Sequence, residues 1–188
     1  KISDLKIGVR LGLGFAFVLA LLAVIGGVGI NGINNTFGET QDIYENYLFS
    51  VQKLAEVDHL AQRNRILVMD MMLNPAPDNT AKRGAEMAKN SEALDKAFAA
   101  YVGTNLEASE KALVDAFVPA LRAYRTEGLT PTREAAVAGK KEEAAKLYET
   151  KVSALAPRMA EPLEKLTDLQ GELARAKYES AGNRKRNV

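Results

Sequence analysis

The stretch Leu11-Gly-Leu-Gly-Phe-Ala-Phe-Val-Leu-Ala-Leu-Leu-Ala-Val-Ile-Gly-Gly-Val-Gly-Ile30 decides how the rest of this chain is read. Every residue in it is apolar or glycine, and no Asp, Glu, Lys or Arg occurs anywhere in 11–38. About 20 such residues, each rising 1.5 Å, cross a hydrocarbon core of about 30 Å, so 11–33 is read as a transmembrane helix. Lys1, Lys6 and Arg10 precede it with only Asp4 opposing them. The positive-inside bias then puts 1–10 in the cytoplasm and everything after the span outside. A cleaved secretory signal has a shorter apolar region, about 7 to 15 residues, closed by small residues, and no Ala-x-Ala closes this one.

The chain has 188 residues. The roughly 150 left after the span suit one extramembrane domain, 34–183, with 184–188 as a juxtamembrane end. There is no cysteine, so packing alone must hold that domain in an oxidising compartment. Ala, Leu, Glu and Lys dominate beyond residue 40, aromatics are few and tryptophan is absent. That composition reads as all-α. The 25 basic and 24 acidic residues are interleaved, so no field draws the chain to nucleic acid. One histidine and no cysteine leave no nucleophile, acid–base or metal set; neither an enzyme nor a cofactor protein is expected.

From Glu39 to Leu73 the periodicity is helical. Tyr47, Leu54, Ala61 and Val68 share one heptad position, Ser50, Val57, Asn64 and Met71 its partner, and Leu60 and Leu67 widen the seam. One unbroken helix is expected to rise from the membrane through this segment. Pro75, Pro77 and the Asx residues at 74, 78 and 79 break it. A second helix is expected from Thr80 to Tyr101, with Ala85, Ala88, Leu94, Ala97, Phe98 and Tyr101 facing inward. Gly103 ends it, and Thr104 with Glu107 reads as a capping box. The third helix carries Leu106, Leu113, Phe117, Ala120, Leu121 and Tyr124, kinked at Pro119. Gly128 and Pro131 then predict an interruption before a short helix to Ala138, and Gly139 marks a second far-end turn. The last helix is expected from Glu142 to about Ala181, bent at Pro157 and Pro162. Its apolar set is Ala145, Leu147, Val152, Leu155, Met159, Leu163, Leu166, Leu169, Leu173 and Ala176. The fold predicted is an antiparallel up-down-up-down four-helix bundle preceded by a transmembrane helix.

The basic opening Lys1-Ile-Ser-Asp-Leu-Lys-Ile-Gly-Val-Arg10, the Gly-rich span and the final helix closing in Ala174-Arg-Ala-Lys-Tyr-Glu-Ser180 together resemble the N-terminal half of bacterial methyl-accepting chemotaxis receptors with a four-helix-bundle sensor domain. The resemblance covers the whole chain. It implies a sensor in the periplasm of an inner-membrane protein, a homodimer paired along its first bundle helix or a higher or ligand-dependent oligomer, and a small-molecule ligand in the outer half of the bundle that signals through helix displacement or a changed association state. It also implies a second membrane helix after Val188, a HAMP adaptor, and a cytoplasmic coiled coil as the only route to cytoplasmic signalling partners. Arg184, Lys185 and Arg186 would then lie on the outer face, against lipid phosphates. Two alternatives share the pattern: the input domain of a sensor histidine kinase, and a bundle that senses through a periplasmic binding protein.

Within that frame the candidate ligand-binding residues lie at similar depth below the far-end turns. They are Arg63 and Arg65 flanking Asn64, Arg122 and Arg125 bracketing Tyr124, and Tyr148 with Thr150. A guanidinium matches a carboxylate as a planar fork and hydroxyls orient it, so a di- or tricarboxylate is the ligand expected. Each residue also has a plainer reading. Surface arginines pair with carboxylates one turn away, Tyr124 belongs to the apolar stripe, and Asn64 sets register as a buried Asn does in coiled coils. His59 reads as a solvated helix residue and Met69, Met71 and Met72 as packing.

Overall fold

The computed structural model describes residues 6–42 and 47–186. They form two compact units, Lys1–Asp42 and Ile43–Val188. The first is one helix, α1 (Ile7–Asp42). Its stretch Ile7–Ile33 is long and apolar enough to cross a membrane, with a mean hydropathy of 2.6 and none of its apolar window buried. The helix begins four residues ahead of the predicted span, because Ile7, Gly8 and Val9 extend the apolar run past Arg10. The expected continuity into the bundle crosses 43–46, and that stretch, 1–5 and 187–188 lie outside the described residues.

The second unit is built from α2 (Phe49–Leu73), α3 (Pro77–Val102), α4 (Ala108–Ala123), α5 (Thr130–Val137), α6 (Lys141–Leu147) and α7 (Ser153–Arg186). A π-helical turn, Tyr124–Leu129, joins α4 to α5, and a second, Tyr148–Val152, joins α6 to α7. Three turns therefore separate four rods, which run up, down, up and down. α2 lies along α3 and α7, and α4 along α7. No strand occurs among the described residues.

The heptad seam of α2 holds: Ser50, Leu54, Val57, Ala61, Asn64, Leu67, Val68 and Met71 are buried. Asn64 is the polar exception. Its amide nitrogen donates to Ser91 Oγ at 3.2 Å and its amide oxygen accepts from Asn90 Nδ2 at 3.0 Å. A buried amide satisfied on both sides fixes α2 against α3 in one register. Phe117, Leu121 and Tyr124 fill the core from the third rod, and Val152, Met159, Leu163 and Leu166 from the fourth.

Several local expectations give way. Ala85 and Ala88 are exposed, and Met87 takes the inward place between them. Likewise Ala145 and Ala176 are exposed while Ala144 is buried. α3 starts at Pro77, not Thr80, because a proline at the first helical position loses no bond and has its φ preset. The capping box sits one turn later than predicted: Glu107 N–H donates to Glu110 Oε2 at 2.7 Å, while the Thr104 hydroxyl bonds the Tyr101 carbonyl. Gly128 and Pro131 cause no break. The first π turn absorbs them, its five-residue bond running from Thr130 N–H to the Arg125 carbonyl, so a proline without an N–H follows in an unbroken rod. Gly139 does end its rod, with φ at +72°, and Gly139 and Lys140 donate to the Ala136 and Ala135 carbonyls as in a Schellman cap.

Candidate ligand-binding site

The two π turns face each other across the upper half of the bundle. A Cβ on Gly128 would lie 3.5 Å from Val152 Cα, so the backbones meet closely there. Each π turn opens with a tyrosine. π turns insert an extra residue into a rod and are frequent at functional sites; here they aim Tyr124 and Tyr148 at the same arginine of α2. Arg65 Nε donates to Tyr148 Oη at 2.8 Å, and its guanidinium carbon stands 5.7 Å from the centre of the Tyr148 ring. Tyr124 is 1 % exposed. Burial pushes its phenol up to about 12; the Arg65 charge opposes that shift and Tyr148 adds to it. Its hydroxyl makes no hydrogen bond with any described residue.

Beside this trio lies a half-open pocket of about 280 Å³. Asp58, Gln62 and Arg65 line it from α2 at spacings of four and three, Tyr124 from the first π turn, and Ala156, Pro157, Met159 and Ala160 from α7. It therefore touches three of the four rods.

The structure brings together three of the eight residues singled out from the sequence, Arg65, Tyr124 and Tyr148, and separates the other five from them. Arg63, two residues from Arg65 and so on another face of the helix, ion-pairs Glu86 at 2.6 Å and holds that carboxyl below its usual range. Asn64 is committed to the α2–α3 contact. Arg125 pairs with Asp95 at 2.7 Å, its second terminal nitrogen buried without a partner. Arg122 is exposed, and Thr150, also exposed, donates to the Lys146 carbonyl at 2.7 Å. One guanidinium, not four, reaches the pocket. Sequence reasoning passed over Asp58, Gln62, Ala156, Pro157 and Ala160, although 58, 62 and 65 fall on one helical stripe.

The chain thus places a membrane-length apolar helix ahead of an all-helical bundle with a polar pocket among its rods. Residues 4–184 match the family described as a four helix bundle sensory module for signal transduction, of the methyl-accepting chemotaxis protein type, and the chain belongs to that family. A comparison with curated proteins and one with solved structures each found no match.

Proposed function

We propose that this chain is the sensor region of a transmembrane chemoreceptor that binds a small organic acid on Arg65. α1 crosses the bacterial inner membrane with its start in the cytoplasm, and the bundle stands in the periplasm. The observation that carries the reading is the state of Arg65. No Asp or Glu among the described residues pairs with it; the neutral hydroxyl and ring of Tyr148 hold it in place beside an open pocket. A carboxylate offers that guanidinium a stronger, charge-assisted partner than a phenol. Taking it loosens Tyr148, the first residue of the π turn that feeds α7, and so couples occupancy to the rod that leaves the bundle. Such a ligand shifts the equilibrium only by as much as it prefers one arrangement of α7 over the other.

The receptor works as a homodimer paired along α2. What supports this is an exposed row at alternating spacings of four and three: Leu48, Ala55, Gln62 and Met69 interleaved with Gln52, His59, Ile66 and Leu73. It contains no Asp, Glu, Lys or Arg, and its spacing is that of a two-stranded seam. Gln62 belongs both to this row and to the pocket, so occupancy reaches the seam directly.

Thermal unfolding of the full chain in detergent micelles, against amino acids, dicarboxylates and tricarboxylates at fixed ionic strength, tests the proposal. A ligand at 100 times its dissociation constant stabilises by about 2.7 kcal/mol. A selective shift that Arg65→Ala abolishes and Arg122→Ala leaves intact supports it; no shift with any acid, or one indifferent to Arg65, overturns it.

A further inference from the structure

The stretch between the two π turns is a helical hairpin, α5 and α6, that forms the far end of the third and fourth rods. Both of its connections to the rest of those rods pass through a π turn, and the two π turns meet where Gly128 approaches Val152. They are built alike. Each opens with Tyr-x-Thr, Tyr124-Arg-Thr126 in one and Tyr148-Glu-Thr150 in the other. In each the threonine hydroxyl donates to the carbonyl four residues back, Thr126 to Arg122 at 3.0 Å and Thr150 to Lys146 at 2.7 Å. Each also lies in a run of buried or half-buried positions spaced by four, at 124, 128, 132 and 136 on one rod and at 144, 148, 152 and 156 on the other. An α-helix turns about 100° per residue, so a step of four overshoots one turn by about 40°, and a run of such steps would swing the stripe off the core. A turn that holds an extra residue takes up the excess.

Little holds this hairpin to α2 and α3, on which it packs. Its fully buried side chains are Thr132, Ala135, Ala136 and Ala144, whereas Phe117, Leu121, Leu163 and Leu166 fill the core on the other side of the π turns. Small side chains bury little apolar area and anchor correspondingly weakly. Among the described residues no side chain of 130–147 forms a hydrogen bond or ion pair with α2 or α3. The nearest ties lie in the π turns themselves, where Arg65 Nε donates to Tyr148 Oη at 2.8 Å and Arg125 pairs with Asp95 at 2.7 Å. Gly128 points the same way. A Cβ there would meet Val152 and Leu155 at 3.5 to 3.7 Å, ordinary contact distances, so an alanine fits and would strengthen the helix. What the glycine supplies is a soft backbone between the two halves of its rod.

We infer that α5 and α6 form a hinged unit that rocks on the line through Gly128 and Val152, with the Arg65–Tyr148 bond as the latch that sets its angle. A hinge needs only a few residues that absorb the backbone change while the helices on either side stay intact, and π turns are among the places where helices bend. The lever from Thr130 to Val137 is about 12 Å long, so a rotation of about 15° moves its tip by about 3 Å. The hinge is a property of the fold; only its link to a ligand rests on Arg65 being the sensing residue. An anion on Arg65 replaces the phenol there, and the hairpin settles at another angle with its helical bonds intact.

The chain has no cysteine, so spin labels can be placed in pairs and their separation measured in the full chain in detergent micelles, diluted with unlabelled chain so that each distance is read within one molecule. Ala81→Cys with Val137→Cys spans α3 and the hairpin tip, and Ala112→Cys with Asp168→Cys spans α4 and α7 near Glu110; all four positions are exposed. Tyr148→Phe removes the latch hydroxyl and keeps the ring. Expected is an 81–137 distance that shifts or broadens by about 3 Å in Tyr148→Phe and narrows again when Gly128→Ala is added, with the 112–168 distance as in wild type. An 81–137 distance indifferent to Tyr148→Phe, an equal change in both pairs, or a broadening that Gly128→Ala leaves untouched overturns the hinge. None of these readings uses a ligand, so loss of the Arg65 binding site leaves the hinge standing, and loss of the hinge leaves the binding site standing.

Discussion

The two ends of the bundle treat their polar groups in opposite ways. At the 103–107 turn Glu110, only 4 % exposed, accepts from Tyr101 Oη at 2.9 Å, from Gln170 Nε2 at 2.5 Å and from Glu107 N–H at 2.7 Å. Three donors, from the second rod, the fourth rod and the turn between α3 and α4, converge on one carboxylate, and none is left over. At the level of the π turns Arg65 lacks a carboxylate, Asp58 lacks a cation, and the Tyr124 hydroxyl lacks any partner among the described residues. Buried polar groups with all bonds made lock a structure in place, whereas groups left short beside an open pocket hold their bonding capacity for something that arrives. One end anchors α7, and the other is the one we propose receives the ligand.

That contrast is broken most severely at the closed end. Gln170→Ala leaves Glu110 short of a donor and opens a cavity among the third and fourth rods, and is expected to cost about 3 kcal/mol in chemical denaturation. Arg65→Ala, on a part-exposed side chain, is expected to cost less than about 1 kcal/mol while removing the ligand response. Equal costs at the two sites would dissolve the distinction.

Alkaline pH separates the two ends by another route. Burial raises Tyr124 to about 12 and raises Tyr101, beside the Glu110 carboxylate, further still. An acid whose folded value lies above its unfolded value of about 10 favours the folded state below pH 10 and loses that contribution as pH climbs toward 12. Stability is therefore expected to fall over that window, by roughly 2 kcal/mol for Tyr124 alone. Tyr124→Phe and Tyr101→Phe should each flatten the fall, Tyr101→Phe more; a stability unchanged up to pH 12 would contradict it.

Gly139→Ala comes next in size, expected to cost about 1 kcal/mol because its φ of +72° strains any L side chain. The smallest effects belong to Arg122→Ala and Thr150→Ala, both exposed, expected within about 0.5 kcal/mol of wild type and without change in ligand response. A lost response in either would relocate the site.

The fold was legible wherever the side chains were large. Leu54, Val57, Val68 and Met71 on α2, and Phe117, Leu121 and Tyr124 on the third rod, sit where the periodicity puts them. Alanines misled, because their small burial energy lets Ala85, Ala88, Ala145 and Ala176 face water while Met87 turns inward. Gly128 and Pro131 misled as well: local propensity argues for a break, but packing between facing rods supports a π turn instead. At the pocket, Arg63 and Arg65 were grouped as candidates although two residues' spacing sets them on different faces of α2, and the sequence could not say which of them had a carboxylate waiting on α3. Only the partner rods decide that, and they leave Arg65 open.

Hydrogen exchange of the full chain, with and without a saturating mixture of amino acids and dicarboxylates, tests the division of labour most directly. Amides of Tyr124–Leu129 and Tyr148–Val152, together with those around Arg65, should exchange more slowly when the mixture is present, while those flanking Glu110 and Gln170 stay as they were. Protection confined to the Glu110 end, or none at the π turns, would contradict the assignment of reception to the open end of the bundle.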